Sequence, residues 1–192
     1  MKICLFGGSF DPIHEGHLHI AQGAKDACAI DRVLFLPCSQ SPLKTSEPHA
    51  SDEERCEMIR LAIDGFDWAE LDTTDLELPA PSWSWRVAES VKRKHPEDEL
   101  FWLIGTDQWT DLEKWGRWEY LADLVTFIVY HRGDHPVPRE GVNALFVEGN
   151  HDASSTQIRH CLNQGDNVPF LAESVERFIQ KKGLYRSAHG AV

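Results

Sequence analysis

The chain has 192 residues, of which 42% are hydrophobic and 26% are charged, as in a soluble globular protein with one substantial core. Its net charge of −12 argues against a nucleic-acid-binding surface, and the lack of any run of about 18 apolar residues argues against a membrane span. Five scattered cysteines without a C-x-x-C pair favour reduced thiols in a cytoplasmic protein over a disulfide framework or a zinc site.

The first predicted element is a buried strand at Lys2–Phe6, which leaves no room for a signal peptide. Gly7–Gly8 follow it, and residues 18–28 then place apolar side chains at helical spacing. Adjacent glycines let backbone N–H groups approach an anion closely, and a helix start adds unpaired N–H groups. His14 and His17 bracket that helix start with two more donors, so the segment predicts a phosphate site.

Four further apolar runs predict strands at Arg32–Leu36, Leu100–Ile104, Val125–Tyr130 and Ala144–Val147. Helical patterns occur at Asp52–Ile63, Ser84–His95, Arg117–Leu121 and Pro169–Lys182. This alternation predicts an α/β fold, namely a doubly wound Rossmann-like parallel sheet with helices on both faces. We expect residues 1–186 to form a single domain and residues 187–192 to form a flexible tail.

Three consecutive hydroxyl residues, Ser154, Ser155 and Thr156, open a helix that runs to about Cys161. One hydroxyl is enough to cap a helix, so three of them with Arg159 one turn inside predict a second anion site. Two such sites at the carboxyl ends of parallel strands would suit a triphosphate that bends between them.

The string from Gly7 to His17, Gly-Gly-Ser-Phe-Asp-Pro-Ile-His-Glu-Gly-His, resembles the nucleotidyltransferases with an H-x-G-H motif, and among them the nicotinate mononucleotide adenylyltransferases. The segment Ser154–Arg159 also matches that family's Ile-Ser-Ser-Thr-x-Ile-Arg motif, with Ala153 in place of the first isoleucine. The resemblance implies an enzyme that transfers the adenylyl group of ATP to nicotinate mononucleotide, giving nicotinate adenine dinucleotide and pyrophosphate in NAD biosynthesis. Mg²⁺ would enter with the ATP phosphates and take few protein ligands, and no residue is assigned as a metal ligand.

The same resemblance implies roles for individual residues. The implied catalytic residues are His14, His17 and Arg159, with His17 at the α-phosphate and the other two at the departing pyrophosphate. The implied ATP-binding residues are Gly7, Gly8, Ser9, Phe10, His14, Gly16, His17, Gly105, Asp107, Ser154, Ser155, Thr156 and Arg159. The implied mononucleotide-binding residues are Asp11, Lys44, Ser82, Trp83, Ser84 and Trp115. Trp115 would stack on the pyridine ring.

The chain departs from the family pattern at several positions. In the loop that ends with Lys44, Leu43 replaces a histidine and Ser41 replaces a proline. Arg86 stands where an aspartate is usual, and we hypothesise that it adds positive potential near the acid group of the substrate. Arg132 follows another strand and could line the adenine or phosphate region.

Other interpretations stay open from the sequence. A sister enzyme could use nicotinamide mononucleotide, phosphopantetheine or a cytidine nucleotide, and a non-catalytic nucleotide-binding module would keep the pocket alone. A hydride-transferring enzyme is disfavoured, because no G-x-G-x-x-G follows the first strand. A tRNA synthetase core would need a longer and less acidic chain. The partners expected are small molecules, with a homo-oligomer possible. His131, His135 and His151 lack metal-site spacing and are expected at the surface.

Overall fold

A computed structural model of the protein describes residues 1–40, 47–133 and 135–186. Lys44 and the tail 187–192 therefore lie outside the described residues. Six strands form one sheet: β1 Lys2–Gly8, β2 Arg32–Pro37, β3 Ala69–Leu71, β4 Glu99–Gly105, β5 Thr126–His131 and β6 Ala144–Glu148. All neighbouring strands are parallel, in the order β3-β2-β1-β4-β5-β6.

The helices alternate with these strands along the chain. They are α1 Glu15–Cys28, α2 Asp52–Ile63, α3 Thr74–Glu77, α4 Ser84–Lys94, α5 Thr106–Thr110, α6 Trp118–Leu124, α7 Ser155–Gln164 and α8 Glu173–Lys182, with a 3₁₀ helix at Leu112–Lys114. Their ends follow local rules. Ser51 caps α2 in a reciprocal pair of hydrogen bonds with Glu54, and left-handed Gly165 and Gly183 end α7 and α8.

Two apolar layers hold the helices against the sheet. Along β1, Cys4 and Phe6 face one layer, which includes residues of α1, α2, α7 and α8. Ile3 and Leu5 face the other layer, which includes residues of α4, α5 and α6. Strands that are buried on both faces have continuous apolar sequences, which is why these strands could be predicted from the sequence. The predicted doubly wound α/β fold with helices on both faces is confirmed.

The strand order reverses next to β1, since β2 and β3 lie on one side of it and β4 to β6 on the other. In doubly wound folds the crevice at this switch point, beyond the carboxyl ends of the strands, is where ligands bind. β1 ends there at Gly8 and β4 ends there at Gly105. The fold thus brings the two glycine-containing motifs of the sequence to one edge of the sheet.

The structure differs from the sequence prediction in its shortest elements. The three-residue strand β3 and the helices α3 and α5 were missed, because so few residues carry no readable periodicity. The last helix begins at Glu173 and not at Pro169, since Phe170 has a φ of 63° and its carbonyl oxygen accepts the Glu15 N–H at 2.9 Å. In the described ranges, no helix has both the length and the apolar character that crossing a bilayer requires.

Candidate active site

The turn after β1 is shaped by a close contact between Gly8 and Phe10. A Cβ atom at Gly8 would lie only 3.0 Å from the Phe10 ring, so any other residue here would push against that buried ring. Phe10 itself has a φ of 46° and is buried, with its ring edge-on to that of His17 at a centroid distance of 5.0 Å. The turn therefore runs with its backbone close to the start of α1.

His17 lies in the first turn of α1 and accepts a hydrogen bond there. The His14 N–H donates to His17 Nδ1 at 3.2 Å, which places the proton of a neutral His17 ring on Nε2. The two imidazole rings stack with centroids 3.8 Å apart. His17 also lines a cavity, so its position suits an N–H donor to a bound anion.

His14 is buried at the N-cap of α1, and Gly16 lies beneath its ring. Burial, followed by the nearby His151, lowers the pKa of His14 to about 4, so the ring is neutral at physiological pH. Its Nδ1 atom is buried and has no hydrogen-bond partner in the described part of the chain. A Cβ atom at Gly16 would lie 3.0 Å from His14 Nδ1 and from Ala153 Cβ, so the lack of a side chain at Gly16 permits this packing. Gly16 does not line the cavity that contains His17.

The start of α7 joins the turn after β1. Ser155 Oγ donates to the carbonyl oxygen of Pro12 at 3.0 Å, across 143 positions of sequence. Arg159 Nη1 donates to the carbonyl oxygen of Asp11 at 2.6 Å, and Thr156 lies beside the same guanidinium. Ser154 is the N-cap residue and does not line the cavity. The two anion-site motifs of the sequence are therefore in direct contact.

The carboxylate of Asp11 accepts hydrogen bonds from other segments, and the His49 ring also contacts it, with Nδ1 3.1 Å from Oδ2. The His49 N–H donates to Oδ2 at 2.8 Å, and the Ala50 N–H and the Tyr185 hydroxyl donate to Oδ1 at 3.1 and 2.7 Å. Burial alone would raise the pKa of Asp11, but these hydrogen bonds outweigh it and hold the pKa below its ordinary value. Asp11, predicted to contact the mononucleotide, lines the same cavity as His17, and its carboxylate there binds protein donors and lies beside Arg159.

A cavity of about 400 Å³, here called the histidine cavity, lies between these motifs. Backbone of the turn after β1, the His17 ring and the first turn of α7 line it together. Its lining residues are Phe6, Gly7, Gly8, Ser9, Phe10, Asp11, His17, Ile20, Glu47, Pro48, His49, Ile104, Gly105, Gln108, Tyr130, Ser155, Thr156 and Arg159. The turn after β1, the His17 ring and the start of α7 with Arg159 thus bring N–H donors and a cation to one space in an otherwise acidic protein.

A second cavity of about 330 Å³, here called the indole cavity, contains three tryptophans. Its lining residues are Gly7, Gly8, Ser9, Leu36, Cys38, Asp75, Ser82, Trp83, Ser84, Val87, Trp102, Asp107, Gln108, Asp111, Trp115 and Gly116. Gly116 is required there, because a Cβ atom would lie 2.5 Å from the Trp83 ring. The predicted group of Ser82, Trp83, Ser84 and Trp115 is therefore brought together.

Asp107 and Gln108 follow β4 at the border of the two cavities. Asp107, predicted at the ATP site, lies inside α5 and not at its cap, and it lines the indole cavity. Gln108 was not singled out in the sequence, yet it lines both cavities and accepts the Gly105 N–H through Oε1 at 3.1 Å. Gly7, Gly8 and Ser9 also line both cavities, so the two spaces share one wall.

Arg55 and Asp75 are buried charged residues that no sequence motif singled out. Arg55 is fully buried and donates to the carbonyl oxygens of Ser9 and Cys38 at 2.7 and 2.8 Å, and to Asp52 at 2.6 Å. Burial raises the pKa of Asp75 to about 6. An arginine on the apolar face of α2 was the one available signal for Arg55, since such a residue must find buried partners.

The remaining basic and histidine predictions have mixed outcomes. Arg86 lies outside both cavities, with its guanidinium over the Trp85 ring, and exposed Arg132 pairs with Asp152 at 3.8 Å. His131 is buried and not at the surface, because β5 lies between two strands and His131 pairs with Glu148 in the sheet. Across the described ranges, no cluster of three or more His, Cys, Asp or Glu residues could hold a metal ion.

Comparison with known proteins agrees with this geometry. Residues 5–161 match the family model described as Cytidylyltransferase-like. A relative from Methylacidiphilum infernorum is 35% identical, covering 96% of this chain and 92% of the relative. One from a Hydrogenobaculum species is 36% identical, covering 96% and 98%. Both carry the name "Probable nicotinate-nucleotide adenylyltransferase".

Solved structures share the fold at lower identity. The nicotinic acid mononucleotide adenylyltransferase of Plasmodium falciparum, complexed with NaAD, superposes with a TM-score of 0.75 at 22% identity, covering 96% of this chain and 97% of that one. The same enzyme complexed with APC gives a TM-score of 0.73 at 20% identity, covering 96% of each chain. The resemblance carried by the sequence motifs is thus confirmed, and the chain belongs to the nicotinate-nucleotide adenylyltransferases of the cytidylyltransferase-like family.

Proposed function

We propose that this protein transfers the adenylyl group of ATP to nicotinate mononucleotide, giving nicotinate adenine dinucleotide and pyrophosphate in the biosynthesis of NAD. Membership of the family supports this reaction. The observation that carries it is the wall that the histidine and indole cavities share at Gly7, Gly8, Ser9 and Gln108. Two substrates in these cavities would meet at that wall, where a phosphate of one can reach a phosphate of the other.

ATP is assigned to the histidine cavity, with Mg²⁺ entering as part of the MgATP substrate. His17 would donate from Nε2 to the α-phosphate, because its Nδ1 is already occupied by the His14 N–H. Arg159 and the hydroxyls at the start of α7 would hold the pyrophosphate end. His14 is buried and does not line the histidine cavity itself. We assign it a supporting role as a neutral donor behind His17, since an imidazole with a pKa of about 4 still carries one N–H. Lys44, which lies outside the described residues, is assigned a phosphate contact.

Nicotinate mononucleotide is assigned to the indole cavity. The pyridine ring would stack on Trp115, and the backbone N–H groups of Trp83 and Ser84 would receive its carboxylate. The Ser82 N–H already donates to the carbonyl oxygen of Gln40 at 2.9 Å. Trp102 meets Trp115 edge to face, with ring centroids 6.5 Å apart, which holds the stacking indole in place. The phosphate of the mononucleotide would then point to the shared wall.

The reaction needs no protein nucleophile. An oxygen of the mononucleotide phosphate attacks the α-phosphorus of ATP, and a new P–O bond forms. The bond from that phosphorus to the bridging oxygen of the β-phosphate breaks, and pyrophosphate leaves with the electron pair. The protein contributes alignment of the two phosphates and hydrogen bonds to the charge that builds on the α-phosphate.

The proposal is tested by supplying the purified chain with MgATP and nicotinate mononucleotide, together and separately. We expect pyrophosphate and the dinucleotide in equal amounts, and only when both substrates are present. Parallel reactions replace the acceptor by nicotinamide mononucleotide or phosphopantetheine and ATP by CTP. Faster pyrophosphate release with any replacement would assign the protein to a sister reaction, and nucleotide binding without pyrophosphate release would make it a non-catalytic module.

The wider setting of the reaction is also part of the proposal. Residues 1–186 are taken to act as one nucleotidyltransferase domain, since a single sheet runs through them. The partners are the two small-molecule substrates, and a chain of net charge −12 offers little attraction to nucleic acid. A cytoplasmic location fits the cysteines, which are free thiols at all five positions.

A further inference from the structure

Tyr185 reaches back from beyond α8 to the turn after β1. Its hydroxyl donates to Asp11 Oδ1 at 2.7 Å, across 174 positions of sequence. Burial, together with the adjoining Asp11 carboxylate, raises the pKa of Tyr185, so the phenol stays protonated and remains a donor. No sequence motif includes this residue. The bond fixes a carboxylate that lies against the phosphate-binding motifs.

Asp11 faces Arg159 with two groups, its backbone carbonyl oxygen and its carboxylate. Its carbonyl oxygen accepts from Arg159 Nη1 at 2.6 Å, which orients the guanidinium. Its carboxylate stays further away, with Oδ2 at 3.9 Å from the same nitrogen. The donors on Tyr185, His49 and Ala50 hold it at that distance. A full ion pair would compete with a substrate phosphate for the charge of Arg159, so this separation matters for anion binding.

We propose that Tyr185 is a positioning residue for the polyphosphate of ATP, because its hydroxyl restrains the Asp11 carboxylate and leaves the charge of Arg159 available. This inference rests on the proposed function, which assigns ATP phosphates to Arg159. Without the hydroxyl, Oδ1 of a buried carboxylate loses a donor. Arg159 Nη1 lies 3.9 Å from Oδ2, so the carboxylate turns towards this guanidinium and weakens the hold of Arg159 on the nucleotide.

The test is the variant Tyr185→Phe, which removes the hydroxyl and keeps the ring. We expect the KM for ATP to rise by roughly fivefold to tenfold, the scale of one lost hydrogen bond at a charged group. The KM for nicotinate mononucleotide should stay within about twofold, because the indole cavity is untouched. Tyr120→Phe is the matched control, since that hydroxyl also donates to a carboxylate, Glu89 Oε1 at 2.8 Å, but outside both cavities.

Binding of ATP by calorimetry, well below the melting temperature of each variant, provides a second measurement that partial unfolding does not affect. An unchanged KM and Kd for ATP in Tyr185→Phe, with or without a lower melting temperature, would overturn the proposal and leave Tyr185 with a structural role alone. An equal rise in both KM values would overturn it as well. A wild-type protein that forms no dinucleotide would instead contradict the proposed function, so the two failures are distinguishable.

Discussion

Arg55 Nη1 lies 2.7 Å from the carbonyl oxygen of Ser9, so a fully buried guanidinium fixes the wall shared by the two cavities. Its Nη2 atom also holds the carbonyl oxygen of Cys38 at 2.8 Å, at the end of β2. One side chain of α2 thereby ties together the two strand ends on which the cavities are built. Neither carbonyl lies in a regular ladder, so the arginine satisfies groups that burial would otherwise leave without partners.

We expect Arg55→Met to lower the free energy of unfolding by about 1–3 kcal/mol for each buried carbonyl that loses its donor. The apolar replacement has similar length, so the loss comes from hydrogen bonds more than from volume. Urea unfolding at equilibrium measures the effect. Arg60→Met on the same helix is the control, because its ion pair with Glu57 is exposed and should contribute less than about 0.5 kcal/mol. Equal losses in the two variants would contradict the assignment.

His17→Ala should reduce turnover by about 10²–10³, the scale for removing one preorganised donor to a charge that forms in the transition state. The KM values should change less, because Arg159 and the α7 hydroxyls remain. His19→Ala, an exposed position on α1, serves as the control and should keep wild-type turnover. Steady-state pyrophosphate release gives both numbers. Near-normal turnover in His17→Ala, with circular dichroism unchanged, would remove the imidazole from the mechanism.

Trp115→Ala should raise the KM for nicotinate mononucleotide by roughly twofold to tenfold and leave the KM for ATP unchanged, since aromatic stacking contributes about 0.5–1.5 kcal/mol. Trp115→Phe keeps a ring and should lose less. Trp118 packs against the same core layer but does not line the indole cavity, so Trp118→Phe is the comparison. A rise in the KM for ATP instead would place the nucleotide base on this indole and exchange the two assigned cavities.

Local sequence was enough to predict the long strands and both helix-start motifs. Each depends on a pattern within about a dozen residues, such as an apolar run, a glycine pair or a row of hydroxyls. The resemblance then predicted that the motifs share a site, and the contact of Arg159 with the Asp11 carbonyl agrees with it. β3 could not be predicted, because a strand of three residues is too short to show a periodic pattern of apolar side chains.

Long-range partners could not be predicted from local sequence. Asp11 was assigned to the mononucleotide, but donors from His49, Ala50 and Tyr185 occupy its carboxylate. Asp107 follows the expected strand, yet it lies inside α5 and lines the indole cavity. Such outcomes depend on which distant segment packs at a given strand end, and no spacing within one segment encodes that.

Asp75→Asn should stabilise the protein more at pH 8 than at pH 4.5. Burial raises the pKa of Asp75 to about 6, and its Oδ1 atom has no hydrogen-bond partner among the described residues. The folded state therefore holds the proton more tightly than the unfolded state, whose pKa is near 3.8. Stability falls as pH rises from about 4 to about 6, and above that range the whole cost of the buried charge is present.

The neutral amide that Asp75→Asn introduces carries no such cost. We expect a gain of about 1–3 kcal/mol at pH 8, from about 1.4 kcal/mol for each unit of pKa, and a much smaller gain at pH 4.5. Urea unfolding at the two pH values measures the difference. Asp107→Asn, at an exposed carboxylate of the same cavity, is the control and should show little change at either pH. Equal effects of Asp75→Asn at both pH values would mean that Asp75 is ionised in the fold without penalty, and that the raised pKa is wrong.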